Sequence, residues 1–401
     1  MSEGDIPKRP TSSRILVLNG GSSSLKFAVF EPGSPPRRLV GGRFERIGQP
    51  GTQLVFSLPS ESKSPVDAPD ASACLSLLEK RLQAECPGGF AVVGHRIVHG
   101  GDVFPEHRVM GDAQIDALES IASYAPEHLP SEIAILRAAR KLFPGSVQVG
   151  CFDTVFHRSL PPVATRLPLP RRYHDAGIRR YGFHGLSYAY LLGEVQRLCG
   201  EKKARERIIF AHLGNGASMA AVKDGQCQET TMGFTPAAGL MMGTRTGDLD
   251  PGVVRAIMER DSLSPAQFDR LINHDSGLLG VSGSSADMRD LLASRHSDAR
   301  AAAAFDMFCY HARGMIGRLA TVLGGIDLLV FSAGIGEHCP EVRQEICQGL
   351  EFLGVEICER RNAAAEKIIS ASGRPVEIRV IPTDEESEIV TISSQLAGSQ
   401  M

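Results

Sequence analysis

The 401-residue sequence predicts an α/β protein of two related domains facing a cleft. Three observations lead to this fold class. Segments of like pattern, apolar run, small-residue turn, apolar run, begin at Arg14 and again at Arg207. Both turns are rich in glycine and small polar residues. Helical periodicity lies between and after them, and strand units interleaved with helices mean α/β architecture.

The elements follow in chain order. "RILVLNGGSSSLKFAVF" (Arg14–Phe30) reads as strand, turn, strand, with Ile15, Val17 and Val29 flanking the glycine–serine turn. Residues 31–66 are rich in Pro, Gly and Ser, with strand-like pieces such as Gln53–Phe56. Residues 71–86 read as a helix. "FAVVGHRIVHGG" (Phe90–Gly101) reads as a buried strand entering a glycine turn. Pro130–Phe143 reads as a helix with Ile133, Ile135, Leu136 and Ala139 on its apolar side. "VQVGCFDTVFH" is a strand with Asp153 at its end. "RIIFAHLGNGASMAAVKDGQ" (Arg207–Gln226) repeats the opening pattern and adds a "KDG" hairpin turn. Residues 263–273 and 301–323 read as helices. "IDLLVFSAGIGEH" (Ile326–His338) reads as a third strand–turn unit. The tail, "VEIRVIPTDEESEIVTISSQL", reads as strand, Pro turn, acidic cluster and helix.

Composition narrows the class. Hydrophobic residues make up 42% and charged residues 22%, as in ordinary soluble globular chains. A net charge of −3 gives no broad basic field, so no nucleic-acid partner is expected. No window reaches the ~18 uninterrupted apolar residues of a membrane span, so no membrane partner is expected. "MSEGDIPKRPTSS" has no apolar core or signal-peptide pattern and reads as a disordered lead-in. The nine cysteines are odd in number, scattered, and form no C-x-x-C pair. They read as reduced thiols of a cytoplasmic protein, with Cys151, Cys227 and Cys309 as buried small hydrophobes.

The glycine turns are candidate phosphate sites. "GGSSSLK" (Gly20–Lys26) fails as a Walker loop: no glycine precedes the lysine, no hydroxyl follows it, and a strand comes next. A hairpin rich in Gly and Ser still gathers backbone N–H groups and hydroxyls into an anion-binding concavity. Asn19 could orient a metal-bound water or a phosphate oxygen. Lys26 either supplies charge or faces solvent. "HLGNGAS" (His212–Ser218) repeats the device, and "SAGIGEH" places Gly334 and Gly336 after an apolar strand, where a base or ribose can approach backbone closely. Three such turns favour a nucleotide over permissive surface hairpins.

The charged motifs leave alternatives open. Arginines beside glycines suit bidentate binding of carboxylate or phosphate. Arg96 lies in "GHRIVHGG", and Arg179, Arg180 and His184 lie in "RRYGFHG". His184 reads as packed or catalytic. Arg245, in "MMGTRTGDLDP", needs either an anionic substrate or Asp248 as partner. Asp287 and Arg289, in "SADMRD", are either a structural pair or a ligand site. With Asp153 and Glu385 as hard oxygen donors, Mg²⁺ is the reasonable ion beside a nucleotide.

"NGGSSSLKF", "GHRIVHGG", "FDTVFH", "RRYGFHGLS", "HLGNGAS", "MGFTPAAGLMMGTRTGDLDPG", "SGLLGVSG", "DMRD", "GIGE" and "PTDEE" stand in the order seen in acetate kinases. The chain resembles that family from about Ile15 to about Ile392. The resemblance implies two duplicated RNase H-like domains of the actin/Hsp70 type flanking a nucleotide-binding cleft. It implies residues 11–152 as an acyl-substrate and phosphate domain, with 386–398 packing back on it, and 153–385 as the nucleotide-binding and dimerisation domain. It implies a cytoplasmic homodimer that moves a phosphoryl group between ATP and acetate, giving ADP and acetyl phosphate, with Mg²⁺ or Mn²⁺. The matching positions carry family roles. Asn19 and Glu385 serve the metal. Asp153, His184 and Arg245 are catalytic, with Asp153 as an organiser of arginine or metal-bound water more than a proton acceptor. Arg96, Val98, His128 and Pro236 bind the acyl substrate. Lys26, His212, Leu213, Gly214, Asn215, Gly216, Asp287, Met288, Arg289, Gly334, Ile335, Gly336, Glu337 and His338 bind nucleotide.

Two departures stand out. "APEHLP" (Ala125–Pro130) has Glu127 and Leu129 where the family has leucine and asparagine. A carboxylate facing an acyl pocket resists burial, so Glu127 is expected to turn away or to pair with an arginine. His338 stands where the family has asparagine. Propionate or butyrate kinase activity is the near alternative. An actin- or Hsp70-like ATPase is the distant one, which has no need of Arg96, His184 and Arg245 together.

Overall fold

The computed structural model describes residues 12–21 and 24–399. The lead-in up to Thr11 and the hairpin serines Ser22 and Ser23 lie outside the described residues. The chain divides into two compact units. One runs to Val155 and resumes at Asp384; the other is Phe156–Thr383.

The first unit carries β1 (Ile15–Gly20), β2 (Ser24–Glu31), β3 (Arg37–Glu45), β4 (Gln53–Leu58), β5 (Ser62–Pro65), β6 (Val92–Ile97), β7 (Arg108–Val109) and β8 (Val147–Phe152). Their order across the sheet is β5-β4-β3-β2-β1-β6-β8-β7. The second unit carries β9 (Ile208–Leu213), β10 (Ala217–Lys223), β11 (Gln226–Thr230), β12 (Leu328–Ser332) and β13 (Glu377–Val380), ordered β11-β10-β9-β12-β13. Each sheet contains an antiparallel three-strand meander whose first strand then pairs with parallel strands. These are β3-β2-β1-β6-β8 and β11-β10-β9-β12-β13. This is the duplicated α/β architecture of the actin/Hsp70 type.

Period-two alternation sorts the first sheet into two buried faces. Leu16, Leu18, Phe27, Val29 and Val93 meet Cys74, Leu75, Leu78 and Leu82 of helix Ala71–Glu85, together with Ile135 and Ala139 of helix Leu129–Leu142. The spacing of those four helical residues makes one apolar stripe. Asp70 starts the first of these helices by accepting from the Ala73 N–H at 2.8 Å. The opposite face takes the last helix, Glu385–Gly398. Gly94 permits that approach: a Cβ there would stand 2.6 Å from Ile389 Cγ2.

In the second unit β9 and β12 are buried at every residue, as expected of central parallel strands covered on both sides. Tyr188, Leu191 and Val195 of helix Gly185–Cys199 pack on Ile208, Phe210, Ala220 and Val330. The long helix Ala299–Leu323 packs on β10 and β11. The "KDG" turn is a two-residue loop, with Asp224 at φ 53° and Gly225 at φ 75°. Both positive angles match the twist of paired strands. Cys151, Cys227 and Cys309 are buried.

The third glycine segment differs from its expected form. β12 runs into a helix, Ala333–His338. The reason is side-chain capture. Glu337 Oε1 accepts from the Ala333 N–H at 2.7 Å, which satisfies the start of the turn. Buried Arg343 donates to the Gly336 and Glu337 carbonyls, both at 2.9 Å, which satisfies its end.

Candidate active site

In the first unit, Arg96 gathers the chemistry. It stands near the C-terminal end of β6, between β1 and β8. Parallel strands of α/β sheets offer their functional groups at these ends. Asp153 follows β8, is fully buried, and holds the guanidinium at two points, 2.6 Å to Nη2 and 3.3 Å to Nε. Asn19 Oδ1 accepts from Arg96 Nη1 at 3.3 Å, and Glu385 Oε2 lies 3.6 Å from Nε. Burial opposes the Arg96 charge, but the Asp153 and Glu385 carboxylates prevail and hold its pKa above the ordinary value. Two carboxylates and one amide oxygen thus surround one guanidinium.

Val98 leaves β6 buried, and its N–H donates to Glu132 Oε2 at 3.0 Å. Glu132 lies on helix Leu129–Leu142, is buried, and its Oε1 has no hydrogen-bond partner among the described residues. Burial pushes its carboxyl up to about 8, against the Val98 N–H and Arg96, which favour the anion. Sequence reasoning missed this residue. The signal was a charged residue four before Leu136, on the apolar side of the helix. His128 and Glu127 are half-buried and Leu129 is fully buried. Leu129 therefore serves the core. Lys26 is exposed on β2, opposite Asn19 in register.

In the second unit, His184 and Arg245 converge on Gly216. A Cβ built there would lie 3.3 Å from His184 Nε2 and 3.6 Å from Arg245 Nη1. A side chain there would crowd both groups. His184 occupies left-handed backbone, φ 58°, just before helix Gly185–Cys199. Such a conformation costs a β-carbon residue about 1–2 kcal/mol, and residues held this way cluster at functional sites. Its Nδ1 meets Ser218 Oγ at 2.9 Å, and its ring stacks on His212 at 4.2 Å between centroids. His212 Nδ1 in turn meets Ser187 Oγ at 2.8 Å. Arg245 Nη1 donates to the Pro236 carbonyl at 3.3 Å. Asp248, the alternative partner read from sequence, accepts from the Gly239 N–H at 2.8 Å.

A cavity of about 600 Å³ lies in this unit. That is within the range of small-molecule sites, about 300–1,000 Å³. The β9–β10 turn contributes Gly214 and Asn215, residues 287–289 contribute Asp287, Met288 and Arg289, and Gly334, Ile335 and His338 complete most of the wall. Ala286 and Cys339 also line it and were missed, although each adjoins a predicted residue. Other predicted nucleotide residues stand back from this wall. Leu213 is in the sheet core, His212 stacks on His184, Gly216 faces His184 and Arg245, and Gly336 packs near the Ala211 carbonyl. Glu337 turns its carboxylate to the Ala333 and Thr383 N–H groups, so it braces the helix. Asp287 and Arg289 form the pair that one reading expected, at 2.6 Å, and both also line the cavity. The Arg289 hydrogen bond holds the Asp287 carboxyl below its ordinary value.

Comparisons with known proteins identify the family. A family model described as the Acetokinase family matches residues 14–391. The acetate kinase of Carboxydothermus hydrogenoformans is 40% identical, over 96% of this chain and 99% of its own. That of Bacteroides thetaiotaomicron is 39% identical, over 93% and 96%. The crystal structure of Porphyromonas gingivalis acetate kinase superposes with a TM-score of 0.89 at 36% identity, covering 96% of this chain and 100% of its own. A propionate kinase from Francisella tularensis gives 0.91 at 32%, with the same coverage. This chain belongs to the acetokinase family.

Proposed function

We propose that this protein is an ATP:acetate phosphotransferase. A carboxylate oxygen of acetate attacks the γ-phosphorus of ATP in line, the bond from that phosphorus to the bridging oxygen breaks, and acetyl phosphate and ADP leave. The observation that carries the reading is the convergence of His184 and Arg245 on side-chain-free Gly216. The relatives named acetate kinase support the choice of acid.

Acetate is already ionised at neutral pH, so no general base is needed. The difficulty is bringing two anions together, and the catalytic contribution is alignment and charge stabilisation. Arg96 binds the acyl carboxylate, beside apolar Val98 and with His128 as a further pocket member. Asp153 holds Arg96 in the orientation this requires. His184 and Arg245 stabilise the charge that develops on the transferring phosphoryl group. The cavity at Gly214, Asp287 and Gly334 takes the nucleotide.

Asn19, Asp153 and Glu385 present hard oxygen donors around Arg96, and oxygen donors of this kind suit Mg²⁺ or Mn²⁺. Among the described residues no three His, Cys, Asp or Glu side chains form a metal cage. Asn19 and Glu385 would therefore share the ion with nucleotide phosphates and water, as Mg²⁺ prefers. Bound there, the ion supplies neutralisation of phosphate charge.

A homodimer in the cytoplasm completes the reading. Tyr310 and Phe352, 71% and 79% exposed, are apolar surface of the kind an interface covers. Propionate is the second reading, favoured by the likeness to the Francisella protein. The test is hydroxamate trapping with ATP and Mg²⁺ across acetate, propionate and butyrate, with Arg245→Ala as control. Acetate should give the highest kcat/KM. A higher value for propionate would reassign the acid, and no hydroxamate from any of the three would favour an ATPase that transfers no acyl phosphate.

A further inference from the structure

We infer that Tyr188 and Ser218 are positioning residues that order protons around His184, keeping its Nδ1 as an acceptor and its proton on Nε2, toward Gly216. The inference deepens the role proposed for His184 and rests on that reading for its catalytic meaning.

The geometry starts on one helix. His184 caps helix Gly185–Cys199 and Tyr188 lies in its first turn, four residues on. Ser218, on β10, stands between them. Its Oγ is 2.9 Å from His184 Nδ1 and also hydrogen-bonds the Tyr188 hydroxyl. Tyr188 and Ser218 are both fully buried. Among the described residues Ser218 is the one hydrogen-bond partner of the Tyr188 hydroxyl.

Proton placement follows from these contacts. The phenol proton must go to Ser218, because a buried O–H without an acceptor is costly. Burial pushes the Tyr188 phenol up, against the Ser218 hydrogen bond, so it stays protonated and able to donate. Ser218 Oγ then accepts from Tyr188 and turns its own proton to His184. His184 Nδ1 accepts, and a neutral ring must carry its proton on Nε2.

That nitrogen lies 3.3 Å from where a Gly216 Cβ would stand, on the side where Arg245 Nη1 also approaches. The ring thus offers a fixed, neutral N–H donor next to a permanent cation. Protonating Nδ1 would make Ser218 Oγ accept from both neighbours and leave its own buried proton without an acceptor among the described residues. Arg245, from the loop after β11, and His212, from β9 and stacked on the ring, also face His184. The Arg245 charge opposes a second cation there. His212 meets Ser187 Oγ through its own Nδ1 and leaves the Ser218 contact to His184.

The test is ¹⁵N NMR of the whole protein labelled at histidine, at pH 7.5, with the His184 signals assigned by their loss in His184→Gln. The wild type should show the neutral Nε2–H form. Tyr188→Phe should show mixed tautomers, with kcat about fivefold lower and little change in KM for ATP, the size of one neutral hydrogen bond. An Nδ1–H form or an imidazolium in the wild type would overturn the inference, as would an unchanged His184 spectrum in Tyr188→Phe. The wild-type spectrum decides even where the variant folds poorly. An Nε2–H ring in a protein that forms no acyl phosphate would leave the proton order standing and refute the catalytic role.

Discussion

Replacing Asp153 with Asn tests the centre of the first unit's site. The change is nearly isosteric and removes one charge. Asp153 is fully buried and Arg96 is 18% exposed, so solvent screens this pair little. Removing one partner of a buried pair costs about 3–5 kcal/mol when the other charge is left alone. Arg96 is not left alone, since Glu385 lies 3.6 Å from Nε. The asparagine oxygen also keeps one of the two hydrogen bonds now made at 2.6 and 3.3 Å. The loss is therefore smaller, about 2–3 kcal/mol, the size of a hydrogen bond to a charged group, or roughly 30- to 150-fold if it is felt in the transition state. The assay is initial-rate acyl phosphate formation with acetate and ATP varied separately. kcat/KM for acetate should fall by that factor while KM for ATP changes little. Full activity in Asp153→Asn would refute the organising role.

Three further outcomes follow from the structure. Arg343 is fully buried and donates to the Gly336, Glu337 and Asn362 carbonyls, so Arg343→Met should destabilise the fold by about 2–4 kcal/mol. It should raise KM for ATP more than KM for acetate, and equal effects on both would count against a specific hold on the cavity wall. Glu132 has its folded-state pKa raised to about 8, so the native state binds more protons than the unfolded chain between the ordinary carboxylate range and pH 8. Stability contributed there is present at low pH and declines as pH rises through that window. Urea unfolding should find Glu132→Gln gaining on the wild type by up to ~4 kcal/mol between pH 5 and 8.5, and a pH-independent difference would contradict this. Gly225 lies at φ 75°, and a Cβ there would meet nothing within 4 Å. Gly225→Ala should therefore cost about 1 kcal/mol of stability through backbone strain alone. It should leave kcat intact, and a fall in kcat would contradict a purely local effect.

What could be read from the chain was local. Apolar runs around glycine turns announced β1–β2 and β9–β10, and "KDG" announced a two-residue hairpin because Asp224 and Gly225 tolerate positive φ. Asp287 and Arg289 were legible as a pair because they are two residues apart. The unread features depend on distant partners. Glu132 is held by the Val98 N–H, 34 residues away, and Ser218 meets His184 across the same separation. The Ala333–His338 segment reads as a loop because its glycines disfavour helix, yet Glu337 and Arg343 satisfy both of its ends. Neither the left-handed backbone of His184 nor that of Ala333 has a glycine to signal it.

The most direct measurement of the central claim is a ³¹P NMR time course of ATP, Mg²⁺, acetate and enzyme. The account predicts acetyl phosphate and ADP appearing in equal amounts, with both signals lost together in Arg245→Ala. ADP and inorganic phosphate forming at the same rate with and without acetate would contradict it.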